Sequence, residues 1–158
     1  MLAEAEAAIL RAAVAADREA MARRVAAVRE AMARPAWGDD DALSDHVATC
    51  IHHWYGGAES ILERVARALD GKLPSGDRWH QALLEQLALD LPGTRSAVLR
   101  PSTRESLRRV LGFRHFFRHA YDTAWDDQRL ALAVADLEAA AALLAEDLDA
   151  LVGRLGAG

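Results

Sequence analysis

A chain of 158 residues is long enough for one domain with a real core, read here as residues 1–158, and its 52% apolar content excludes a disordered tail or linker. A single cysteine, Cys50, rules out a disulfide within the chain and suits a reducing, cytoplasmic setting. The net charge of −5 argues against nucleic-acid binding over the whole surface. The first residues alternate acids with apolar side chains (Glu4, Glu6, Asp17, Glu19), which is not the pattern of a signal peptide. No run approaches the ~18 consecutive apolar residues that a membrane span needs.

Ala, Leu, Glu and Arg dominate and β-branched residues are few, so the expectation is helix throughout. The first helix is predicted over Leu2–Arg34, stopped by Pro35 and the Trp37-Gly38 turn. The Asp39–Asp41 run predicts the start of a second helix, Asp41–Asp70, closed by a left-handed Gly71. Gly56 and Gly57 interrupt it. Two glycines inside a helix cost about 1 kcal/mol each, so either another element approaches closely there or the helix breaks. A shorter helix, capped by Ser75 or Asp77, runs to Leu89 and ends at Leu91-Pro92-Gly93. Pro101 opens the next helix, with Ser102 and Glu105 spaced as a capping box and an end near Tyr121. The last helix runs from Asp126 to about Val152. Leu130, Val134, Leu137, Ala141, Leu144, Leu148 and Leu151 form an apolar seam suited to antiparallel packing. The fold class is all-α, an up-and-down bundle of four to five helices.

Charge is unevenly spread. Arg95–His119 holds seven arginines against one acid, Glu105, a surplus of six positive charges that leaves the rest of the chain at −11. Such a segment is either a solvated basic helix face or a local groove for phosphates. Within it Arg114–Tyr121 reads RHFFRHAY. Arg114 can grip a phosphate through two N–H groups, and His119 can exchange protons near neutral pH. At about 100° per residue, Arg114, Arg118 and Tyr121 share one face, with His115 and His119 stacked along its flank. Phe113, Phe116, Phe117 and Ala120 lie opposite. The phenylalanines are therefore expected to face the core, and the arginines and histidines to face outward.

This stretch resembles the R-polar-x3-H-x-Y signature of HEPN-domain ribonucleases, specifically the HepT-like toxins. HHWYGGAESILERVA, LPSGDRWHQALLEQL and LRRVLGFRHFFRHAYD extend the resemblance from about Asp41 to the end of the last helix. The resemblance implies a helical bundle, a homodimer and a metal-independent endoribonuclease that needs no cofactor. It also implies a nucleotidyltransferase antitoxin as partner. Carried over to this chain, Arg114 and His119 become the catalytic pair acting on RNA, and His115 the polar helper. Tyr121 becomes the residue the antitoxin can modify with AMP. Beyond the resemblance, the charge of Arg118 suits it to help hold the strand. The alternative is a helical binding module that partners a nucleotidyltransferase and cleaves nothing.

Other candidates have plainer readings. His115 and His119 are spaced as zinc ligands can be, but no carboxylate follows His115, and Cys50, His52 and His53 match no zinc spacing. His80, after Trp79, is read as a packing or capping residue and His46 as exposed. Trp37, Trp54, Trp79 and Trp125 are read as core and corner packing, and Cys50 as a small buried apolar residue.

Overall fold

The computed structural model describes residues 2–118 and 125–156. Five helices follow one another: α1 (Glu4–Met32), α2 (Asp41–Asp70), α3 (Trp79–Ala88), α4 (Pro101–Phe117) and α5 (Asp127–Gly156). Among the described residues there is no strand beyond an isolated Leu91–Arg95 bridge. The expected all-α bundle is what forms.

α2 sits at the centre and packs against each of the other four helices. Its Val47, Ile51, Trp54, Ala58, Ile61 and Val65 recur every three or four residues and, with Leu62, are fully buried. Leu10, Val14, Met21, Val25 and Val28 of α1 meet them. Burial of each large side chain contributes roughly 1.5–3 kcal/mol. In α5 the predicted seam is buried at Leu130, Val134, Leu137, Leu144, Leu148 and Leu151, with Ala141 at its edge. The two glycines do not break α2. A Cβ built on Gly57 would lie 3.0 Å from Met21 Cγ, so this glycine admits α1, whereas nothing lies within 4 Å of one on Gly56.

The helix ends follow local chemistry in part. Asp40 accepts the Ala42 N–H at 2.9 Å, and Gly71 closes α2 at φ 69°. Neither Ser75 nor Asp77 caps α3, which begins after Arg78 without a side-chain cap. The Ser102/Glu105 capping box is also absent. Pro101 occupies the first turn, which makes Arg100 the cap residue and puts Ser102 inside the helix. The acceptor comes instead from α5: buried Asp147 takes the Arg100 backbone N–H at 3.0 Å and its Nε–H at 2.5 Å. Asp126 caps α5 through the Gln128 N–H. That helix continues past Gly153 to Gly156, because Leu155 packs on the core and its carbonyl accepts from Arg11 at 2.8 Å.

Candidate functional site

α4 brings the arginine–histidine stretch against α2 and α3. Arg114 does not face outward as the helical wheel alone suggests. Its Nη1 donates to Glu59 Oε1 at 2.8 Å, and only 16% of its side chain is exposed. Its guanidinium carbon lies 5.5 Å from the centre of the buried Tyr55 ring. The cause is on α2. Glu59, among Ala58, Ile61 and Leu62, is carried into the core by its helix position, and a buried carboxylate requires charged or hydrogen-bonding partners.

Glu59 has a second partner. Its other oxygen, Oε2, lies 2.5 Å from His80 Nδ1. The His80 ring stacks on Trp79 at 3.9 Å and meets the His115 ring edge-on at 5.7 Å. One carboxylate therefore ties together an arginine from α4 and a histidine from α3. His80 packs, as expected, but against a charged partner that its neighbours in sequence do not reveal. The available signal was a lone carboxylate in the apolar seam of α2, which needs a cation from elsewhere in the fold.

Burial, then the Glu59 charge, pushes the Tyr55 phenol up. Burial, then His80, Arg114 and Arg118, holds His115 below the usual imidazole value, with Glu59 acting in the opposite sense. His52 is held down by burial, then by Arg114, His53 and Arg118. Its ring lies 5.0 Å from Phe117, so an imidazole of α2 also borders the arginine helix. His115 and Arg118 are exposed. On the other side Phe113 is buried, and Trp125 stacks on Phe117 at 5.8 Å while its Nε1 donates to Asp45 at 2.5 Å. His119 and Tyr121, with the rest of residues 119–124, lie outside the described residues.

The basic segment is mostly compensated. Six of its seven arginines face a carboxylate: Arg95–Asp70, Arg100–Glu146, Arg104–Glu85, Arg108–Glu85, Arg109–Asp136 and Arg114–Glu59. A surplus of charge in sequence is thus largely a set of tertiary ion pairs. Among the described residues no group of three or more His, Cys, Asp or Glu is arranged to hold a metal ion. Cys50 is buried, as expected, and burial pushes its thiol up. His46 is exposed, with its Nε2 3.8 Å from the Cys50 sulfur. No helix among the described residues is long and apolar enough to cross a membrane.

A five-helix bundle carrying this arginine–histidine helix fits the HEPN type. The chain belongs to the HepT-like family: the family model described as HepT-like protein matches residues 46–155, from early α2 to the end of α5. No curated protein and no solved structure matches the chain.

Proposed function

We propose that this protein is a metal-independent endoribonuclease of the toxin type, cleaving RNA by attack of the ribose 2′-oxygen on the neighbouring phosphate. The observation that carries the reading is Arg114, which stands on the arginine–histidine helix with its guanidinium fixed by the buried Glu59 carboxylate. A cation held in place can stabilise charge that builds on phosphate oxygens without reorganising during the reaction. His119 exchanges protons with the sugar oxygens, His115 assists at the exposed edge, and Arg118 helps to hold the strand. RNA is the substrate, a second copy of the chain completes the functional unit, and a cognate nucleotidyltransferase is the antitoxin. The site of action is the cytoplasm.

Tyr121 is the regulatory residue in this reading. AMP attached there adds bulk and a negative phosphate, a charge that competes with RNA for arginines such as Arg114 and Arg118. Co-expression with the nucleotidyltransferase should give an adenylyl mass shift on the Tyr121 peptide that Tyr121→Phe abolishes. An inactive complex with unmodified Tyr121 would mean that the partner inhibits by covering the groove.

The Arg114–Glu59 pair also favours a second reading, since a purely structural arginine in a non-catalytic binding module would be paired in the same way. RNA cleavage by purified protein in excess chelator separates the two. Arg114→Ala and His119→Ala should each lower cleavage by ~10²-fold or more, and His115→Ala by less. Absence of cleavage by the wild-type dimer on any RNA, or activity that returns only with Mg²⁺, contradicts the nuclease reading.

A further inference from the structure

Cleavage through the 2′-oxygen needs two proton transfers. The attacking hydroxyl must lose a proton, and the departing 5′-oxygen must gain one. The arginine–histidine stretch supplies His119 and His115. The fold adds a third imidazole from a helix the stretch does not include. His80 comes from the first turn of α3, and its Nδ1 lies 2.5 Å from Glu59 Oε2. Glu59 Oε1 holds Arg114 at 2.8 Å, so the histidine and the arginine are placed by the two oxygens of a single carboxylate.

We propose that His80 is the proton donor to the leaving 5′-oxygen, with Glu59 as the positioning residue that sets both His80 and Arg114. The proposal rests on the ribonuclease reading above.

Four observations carry it. Glu59 is itself buried, with 7% of its side chain exposed, so its two partners are held in fixed directions rather than by a mobile surface pair. The contact engages Nδ1. On an imidazole that leaves Nε2, on the far side of the ring, as the nitrogen directed away from the carboxylate, and 14% of the side chain remains exposed. Trp79 stacked at 3.9 Å fixes the ring plane. The His115 ring, 5.7 Å away, places His80 on the same side of α4 as the exposed edge of the arginine–histidine stretch. A carboxylate that orients an imidazole through Nδ1 while Nε2 handles the proton is a recurring catalytic arrangement on unrelated folds. Burial, His80 and the neighbouring arginines disfavour the protonated form of His115.

The step balances without any co-reactant. The 2′-oxygen forms its bond to phosphorus while the bond from phosphorus to the 5′-oxygen breaks. The 2′-hydroxyl proton passes to the general base of the ribonuclease reading, and the Nε2 proton of His80 passes to the 5′-oxygen. The products are a 2′,3′-cyclic phosphate and a 5′-hydroxyl. The His80 ring, now neutral, keeps its Nδ1–H and its bond to Glu59, so no buried acceptor is left unpaired by the transfer.

The test uses the purified protein and two RNA strands of the same sequence. One carries an ordinary phosphodiester at the cleaved position. The other carries sulfur in place of the bridging 5′-oxygen, a leaving group that departs without a proton. Wild type should cleave both. His80→Gln should cleave the oxygen strand ~10²–10⁴-fold more slowly and the sulfur strand within about tenfold of wild type. The comparison is made within one preparation, so partial misfolding lowers both rates together and leaves their ratio unchanged. Equal losses on both strands, or no loss on either, overturn the proposal while leaving the ribonuclease reading intact. Failure of wild type on both strands overturns the reading itself. Glu59→Gln should raise the sulfur-to-oxygen ratio in the same direction as His80→Gln, a change that a merely structural carboxylate would not produce. Should His80→Gln not fold, the wild-type ring reports directly. Its Cε1–H resonance must shift when a 2′-deoxy strand saturates the protein, and an unmoved resonance overturns the proposal.

Discussion

Glu59 shows how a single residue sets the stability and chemistry of its neighbourhood. Replacing it with Ala leaves Arg114 half-buried and unpaired beside the Tyr55 ring, and breaking a buried pair on one side costs about 3–5 kcal/mol. Urea denaturation of Glu59→Ala should show a loss at the lower end of that range, because 16% of Arg114 remains exposed. Glu59→Gln, which keeps an acceptor, should lose less. The imidazoles make stability depend on pH. His52 and His115 are both held below the usual imidazole value in the fold, chiefly by burial. The unfolded chain therefore binds their protons more readily. Their contribution is fully present above the usual value of about 6.5 and is lost as pH falls through it toward the folded value. The slope of unfolding free energy between pH 7.5 and 5.5 should flatten in His52→Ala and His115→Ala. An unchanged slope in both would mean that neither ring is desolvated. Asp70 adds to the acid side. Its hydrogen bonds from Arg95, then Gln86, hold its carboxyl below the usual carboxylate range despite burial. Its contribution is present above that range and lost as pH falls through it.

At the scale of the helix, the two glycines of α2 separate propensity from packing. Gly56→Ala meets open space and should stabilise the fold by up to about 1 kcal/mol. Gly57→Ala meets Met21 Cγ at 3.0 Å, and the resulting overlap, typically about 1–3 kcal/mol, exceeds the gain in helix propensity. Thermal or chemical denaturation of the pair should give opposite signs. α3 is short and is held at its C-terminal end by Arg95. This arginine pairs bidentately with Asp70 of α2 at 2.6 and 2.8 Å and donates to the carbonyls of Gln86 and Leu89, both at 2.9 Å. Arg95→Ala removes the link between the ends of α2 and α3. Hydrogen exchange in 79–88 should then accelerate while the amides of central α2 keep their protection. Since His80 rides on α3, the same variant should lower RNA cleavage without altering any residue that faces Arg114.

For the molecule as a whole, the arginines are spent mostly on internal pairing. With six of the seven in the basic segment opposite carboxylates, non-specific RNA binding should be weak and its salt dependence shallow. Single strands give a slope of about −0.7 per phosphate neutralised, so a log–log slope of magnitude below about 2 is expected. A much steeper slope would mean that the pairs open to RNA. A homodimer through the arginine–histidine helix is also expected. The groove between α4 and α5 exposes Leu132 (64%) beside half-buried Phe116, an apolar surface adjoining that helix. Light scattering should give twice the chain mass at micromolar concentration, and Leu132→Glu should shift it toward one chain. A monomer that retains full activity would remove the dimer from the mechanism.

Much of the fold is determined by local pattern. Helix content, the α2 boundaries with Asp40 and Gly71, the α5 seam and the buried Cys50 follow from propensity, caps and periodicity, which act within a few residues of sequence. The resemblance carried by the arginine–histidine stretch and its flanks led to the HepT-like family. Apart from the uncapped start of α3, what local pattern missed involved a partner far along the chain. The α4 start depends on Asp147, 47 residues away, and not on Ser102. The basic segment became ion pairs because its acids sit on other helices. Arg114 turned inward because Glu59, 55 residues earlier, needed a counter-charge once buried, and His80 joined it from α3. A helical wheel ranks faces by polarity alone. Which polar side chain is drawn into the interior is decided by the energy of a buried charge, and only the packed helices determine where that charge lies.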